Sequence, residues 1–213
     1  MQFKIENMKP VYKAHPWHGI PIGDNAPSIV TTFIEIVPSD TIKYEIDKET
    51  GYLTIDRPQK YSNIIPALYG FIPQTYCGEG TAAHARANGA ENVTHGDGDP
   101  LDICVLSSHH IPHGDILLQA RPIGGFSFVD KGEADDKIIA VLVGDQIYGK
   151  YEDIAELPEG IMARLRHYFL TYKNLPGEPQ HCEISHDYGV EGAKEVIKQT
   201  MMDYRNLIFK PFN

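Results

Sequence analysis

Three carboxylates and a proline fall within six consecutive residues, Asp97-Gly98-Asp99-Pro100-Leu101-Asp102, immediately before the apolar run Ile103-Cys104-Val105-Leu106. In an extended chain Asp97 and Asp99 project to one side. Pro100, with its fixed φ and no N–H, suits a strand entrance or a bend, and such a bend carries Asp102 round to the same cluster. Carboxylates this close repel one another unless cations sit among them. An all-oxygen set selects Mg²⁺, Mn²⁺ or Ca²⁺ over zinc. The bland alternative is a solvated acidic turn. An EF-hand is excluded, because the loop glycine would be replaced by Asp102 and the closing glutamate by Ser108.

A second acidic stretch runs from Asp130 to Lys137. Asp130 and Asp135 are spaced as neither a strand nor a helix would place on one face, but Gly132 allows a turn that would converge them. Taken alone, the stretch reads as a charged hairpin tip. Lone charges also sit inside or beside β-type runs: Glu35 in FIEIV, Lys43 and Glu45 on one face of KYE, Arg57 before a proline, and Lys173 after Tyr172. Singly, each reads as a surface or snorkelling charge. Together they alternate acid and base at element ends, as a site for metal ions and a phosphate anion requires. His109, His110 and His113 have metal-like spacing but read as a polar loop, since a zinc site needs three or four converging ligands.

The elements that must position these groups are mostly short strands. Ser28–Val37, Lys43–Asp47, Gly51–Asp56, Ala67–Phe71, Asp102–Ser107, Asp115–Arg121, Gly125–Val129 and Lys137–Val143 carry strand signals, with a hairpin turn at Lys48–Thr50. Helical spacing of apolar residues predicts helices over about 158–173, with Pro158 at the first helical position, and about 191–208. Residues 1–27 form an irregular arm in which Trp17 serves packing or an interface. The segment 78–96, rich in Gly, Ala, Asn and Thr, reads as a long loop. The class is α+β, mainly β: a small five-stranded closed barrel, OB-like, with flanking helices, in a single domain over 1–213.

Composition bounds the function. The chain has 213 residues and a formal charge of −10, from 29 acids against 19 bases. That balance argues against nucleic acid and anionic membrane surfaces as partners. No apolar run approaches a transmembrane span, and no secretory signal is visible. Cys77, Cys104 and Cys182 are few and far apart, which points to reduced thiols and a cytoplasmic location, with Cys104 in the core.

Taken in order, these residues resemble the soluble inorganic pyrophosphatases of the first, barrel-type family. The resemblance rests on IEI around Glu35, IKYEID at 42–47, DR at 56–57, LYG at 68–70, GDGDPLDICV at 96–105, ARPIGG at 120–125, the Asp130…Asp135-x-Lys137 stretch and HYFLTYK at 167–173. It implies a five-stranded barrel with flanking helices and Mg²⁺-dependent hydrolysis of pyrophosphate to two phosphates, with Mn²⁺ as a substitute. It also implies a homo-oligomer, hexameric in bacterial members and dimeric in eukaryotic ones. By resemblance, Asp97, Asp102, Asp130 and Asp135 are metal ligands, with Asp102 bridging two ions, and Asp99 is the general base. Glu35 and Glu45 hold metal-bound water. Lys43, Arg57, Lys137, Tyr172 and Lys173 bind phosphate oxygens, and Tyr69 donates a hydrogen bond near the nucleophile. The sequence departs from the family at Ile65, where a tyrosine is usual, and in the length of 78–96. Two rivals remain: a metal-dependent phosphohydrolase acting on nucleotides or phosphate esters, and a non-catalytic binding barrel. Retention of Asp97, Asp99, Asp102, Lys43, Arg57 and Lys173 argues against the second.

Overall fold

β-Branched and aromatic residues dominate the first half of the chain, and the structure, a computed structural model describing residues 13–173, 177–179 and 181–209, pairs them into sheets. In chain order the strands are β1 (Val30–Ile36), β2 (Ile42–Ile46), β3 (Leu53–Pro58), β4 (Leu68–Phe71), β5 (His95–Gly96), β6 (Asp102–Leu106), β7 (Ile116–Asp130), β8 (Glu133–Ala134), β9 (Lys137–Leu142) and β10 (Cys182–Gly189). Three α-helices accompany them: α1 (Glu79–Ala87), α2 (Glu159–Thr171) and α3 (Val190–Ile208). The fold is mainly β. Strands β1, β4, β6, β9 and β7 pair in a ring of five, returned to its start by the β1–β7 ladder. The β6–β9 pair is parallel and the other ring pairs are antiparallel. Strands β2 and β3 form a separate two-stranded sheet.

Strands β6 and β9 read as almost unbroken apolar runs because both of their faces are covered. Cys104, Leu106, Ile139 and Val141 point into one core with Phe126, Phe128 and Phe169. Ile103, Val105, Ile138 and Ala140 point into the other with Ile34, Leu68 and Ile197. The two-residue period of a strand sorts neighbours in the chain into different cores. α2 closes the first with Leu165, Tyr168 and Phe169, and α3 closes the second with Ala193, Val196 and Ile197. All three cysteines are buried free thiols.

Several expectations need correction. The strands expected at Asp115–Arg121 and Gly125–Val129 are one strand, β7. Pro122 and Gly124 read as a break but mark a bulge, where the register against β9 shifts between them. β10 was not expected. Its sequence CEISHDYG carries polar residues on a half-exposed edge, which hides the strand period. Pro158 sits at the N-cap with extended ψ, one residue outside the helix. Residues 1–12 of the expected arm lie outside the described residues. Those from 13 to 27 are irregular, and Trp17 is buried.

The segment 78–96, expected as a long loop, contains α1. The Ala-rich stretch EGTAAHARA favours a helix, with Glu79 in its first turn, Arg86 in its last, and an ion pair of 2.6 Å between them. No local side chain caps its N-terminus. The cap comes from α3, where buried Asp203 accepts hydrogen bonds from the backbone N–H of Gly78 (3.1 Å) and Thr81 (2.7 Å) and from the Thr81 hydroxyl (2.8 Å). Small residues permit this approach: a Cβ at Gly80 would run into Gln199 and Asp203. Asp203→Ala strands several buried donors, so a loss of about 2–3 kcal/mol in unfolding free energy is expected by urea denaturation. A loss within experimental error would show that the cap does not hold α1.

Candidate active site

At one end of the ring, β1, β4, β6 and β9 begin or end beside the β2–β3 hairpin and the end of α2. A cleft of about 200 Å³ lies among them. Asp102 opens β6 and Lys137 opens β9, and the parallel register sets them side by side. Lys137 is almost wholly buried, and its ammonium pairs with both Asp102 and Asp135. The Tyr69 hydroxyl, from β4, donates to the same Asp102 carboxylate. The ammonium also lies 5.2 Å from the Phe128 ring centroid and 5.8 Å from that of Phe169.

The acidic loop is not extended, as the spacing argument assumed. Gly98 has φ +77° and the Asp97 carboxylate accepts from the Asp99 N–H at 2.9 Å, an Asx turn in place of extended chain. Backbone bonds to Cys77 and the Leu101 N–H bond to buried Thr75 Oγ1 (2.9 Å) fix the loop. Asp130 and Asp135 do converge. Lys131 (φ +53°) and Gly132 (φ +87°) make a tight turn between β7 and β8, and both acids line the cleft. The stretch is a charged hairpin tip and part of the site at once.

Among the residues singled out in the sequence, Glu35, Lys43, Glu45, Tyr69, Asp97 and Asp99 line this cleft, as do Asp102, Asp130, Asp135, Lys137, Tyr172 and Lys173. Arg57 does not. It borders a neighbouring cavity with Lys60 and Lys173, its guanidinium 5.9 Å from the Tyr172 ring centroid. Ile65 is fully buried in the first core and offers no polar contact. His109, His110 and His113 are exposed between β6 and β7, and among the described residues no three His, Cys, Asp or Glu side chains form a ready-made metal cage. Lysines stand between the acids instead: Lys137 as above, Lys173 on Asp130, Lys43 on Glu45 (2.8 Å) and Asp56 (3.0 Å), and Lys48 on Asp99. Lys48, Glu133 and Tyr168 also line the cleft and were missed. Lys48 sits in a polar turn, where a charge reads as solvated.

The electrostatics follow from crowding. Burial, then the Asp135 and Asp102 charges, push the Asp97 carboxyl well above the usual range. Asp135 is raised by burial, with Lys137 pulling it back down. A protonated Asp97 can donate to Asp135, since two buried carboxyls in contact do not both stay ionised. Burial lifts Glu35 to about 8, although its carboxylate accepts from the Ile46 N–H at 2.8 Å. Burial opposes the charge on Lys137, but Asp102 and Asp135 outweigh it and keep the ammonium protonated. The cleft holds eight carboxyls against four lysines and no histidine or cysteine. Excess acid with oxygen donors alone is a donor set that fits hard divalent cations.

Comparison with known proteins gives the family. Residues 32–205 match the family model described as Inorganic pyrophosphatase. The chain is 48% identical over 203 residues to an inorganic pyrophosphatase of Chlamydia muridarum, covering 93% of this chain and 97% of that one. It is 49% identical over 204 residues to that of Chlamydia trachomatis serovar L2, with the same coverage. The crystal structure of inorganic pyrophosphatase from Thermus thermophilus superposes with a TM-score of 0.75 at 28% identity, covering 91% of this chain and 99% of that one. The chain belongs to the inorganic pyrophosphatase family, hydrolases of the diphosphate anhydride.

Proposed function

We propose that the cleft hydrolyses pyrophosphate to two phosphates with Mg²⁺, or Mn²⁺ in its place, held by Asp97, Asp102, Asp130 and Asp135. The observation that carries this reading is the convergence of acids from β6, the acidic loop and the β7–β8 turn on one cleft, with lysines from three other elements on its walls. The bound metal supplies Lewis-acid neutralisation of the anhydride oxygens and a more acidic attacking water. The remaining roles belong to this chain's own residues. Asp99 takes the proton of the attacking water. Lys43, Lys137 and Lys173 offset charge on the phosphates, and Arg57 does so from the margin behind Tyr172. Tyr69 and Tyr172 donate neutral hydrogen bonds. Glu35, buried, and Glu45 would hold the water bound to the metal. The enclosing β-fold is a small closed, OB-like barrel.

No helix of the described residues is long and apolar enough to cross a membrane. The net charge of −10 and the buried free thiols support a cytoplasmic protein without nucleic-acid or membrane partners, and the family resemblance implies a homo-oligomer, hexameric or smaller. The test is phosphate release from pyrophosphate at neutral pH with and without Mg²⁺, alongside ATP as substrate. Metal-dependent release from pyrophosphate, well above that from ATP, is expected. No metal-dependent release would overturn the proposal, and preference for ATP would favour a nucleotide phosphohydrolase.

A further inference from the structure

The β2–β3 hairpin belongs to no other sheet, yet its turn reaches across the cleft. Asp47 organises that turn, its carboxylate accepting from the Thr50 N–H (2.8 Å) and its carbonyl from the Gly51 N–H (2.7 Å). Lys48 projects from the turn, and its ammonium forms an ion pair with Asp99 on the opposite wall. Burial works against the charge on Lys48, and Asp99 outweighs it.

Both partners rest on one support, the irregular arm. A Cβ on Gly51 would lie 2.7 Å from Pro16 Cδ and 2.9 Å from His15 Cδ2, so the arm backs the hairpin turn in direct contact. Trp17 packs with Ile46, from β2, and Phe71. Its indole N–H donates to the Thr75 carbonyl at 2.8 Å. Thr75 in turn holds the acidic loop through Leu101. The arm therefore fixes the separation between the hairpin turn and the acidic loop, and Lys48 spans that separation. None of the other lysines of the cleft pairs with Asp99: Lys43 pairs with Glu45 and Asp56, Lys137 with Asp102 and Asp135, and Lys173 with Asp130.

We propose that Lys48 is a positioning residue for the hydrolytic step, holding the Asp99 carboxylate toward the cleft by an ion pair anchored in the hairpin turn. This rests on the reading of Asp99 as the general base. Without Lys48, Asp99 is free to swing on its Asx turn, and fewer encounters find it aligned with the attacking water.

The experiment is a double-mutant cycle on pyrophosphate hydrolysis. Lys48→Gln is expected to lower kcat about tenfold, the scale of coupling between residues in contact, with KM within about twofold and an unchanged Tm. Lys48→Arg keeps the cation and is expected to restore most of kcat. In an Asp99→Asn background, Lys48→Gln is expected to change kcat no further. A wild-type kcat in Lys48→Gln, a rise in KM alone, or an undiminished loss in the Asp99→Asn background would each overturn the proposal while leaving the hydrolytic reading intact. A wild-type protein that releases no phosphate from pyrophosphate would instead bring down the reading on which the proposal rests.

Discussion

Asp99→Asn is expected to lower kcat for pyrophosphate hydrolysis by about 10²–10⁴-fold, the usual contribution of a positioned base, while leaving divalent-metal affinity near that of the wild type. Asp102→Asn is expected to remove activity and to weaken metal affinity by about 100-fold or more. The division follows from where the two carboxylates sit. Asp99 is paired with Lys48 and is more exposed than Asp102, whose charge still reaches it. Asp102 lies at the start of β6, in contact with Lys137 and Tyr69 and close enough to Asp97 and Asp135 to raise their pKa values. A neutral amide at position 99 removes a proton acceptor and leaves the inner set untouched. The same change at 102 removes the central anion of that set. Titration calorimetry with Mg²⁺, beside steady-state kinetics, separates the two. Equal loss of metal affinity in both variants would defeat the division.

How much of this was legible in the sequence depends on the range of the interaction. The DGDPLD run was readable because three carboxylates before an apolar strand form a local pattern. The turn that arranges them was not, since Gly98 adopts φ +77° and the Asx bond replaces the extended geometry that a two-residue spacing suggests. Helix α1 stayed hidden because its cap is Asp203, a residue of α3 more than a hundred positions away. Strand β7 was split in two because Pro122 and Gly124 punctuate it, and only pairing with β9 shows that they form a bulge. Lys48 and Arg57 moved in opposite directions. Lys48 entered the cleft because the hairpin folds over it, whereas Arg57, carried over by resemblance, stands behind Tyr172. Local chemistry was visible in one dimension. Placement by tertiary packing was not.

Lys137→Met should show most directly that the cleft is held together by charge. Methionine retains most of the lysine stem's volume and its packing on Phe128 and Phe169, so the change isolates the ammonium. Its loss leaves Asp102 and Asp135 without their shared cation, and breaking a buried pair by removing one partner costs about 3–5 kcal/mol. In metal-free buffer at neutral pH the variant is therefore expected to unfold at markedly lower urea concentration. The deficit should depend on pH with a definite sign. Burial already raises the Asp135 pKa, and Lys137 is the strongest influence pulling it down, so without Lys137 the carboxyl is pushed higher still. A carboxyl whose folded pKa lies above its unfolded value disfavours folding more as pH rises. The gap between variant and wild type should thus widen from pH 5 to pH 8 and narrow on acidification. A divalent cation that binds the folded acids should narrow it as well, by mass action on the native state. Equal stability of the two proteins at pH 8 without metal would show that the acids relax apart unaided, and that Lys137 serves the phosphate alone.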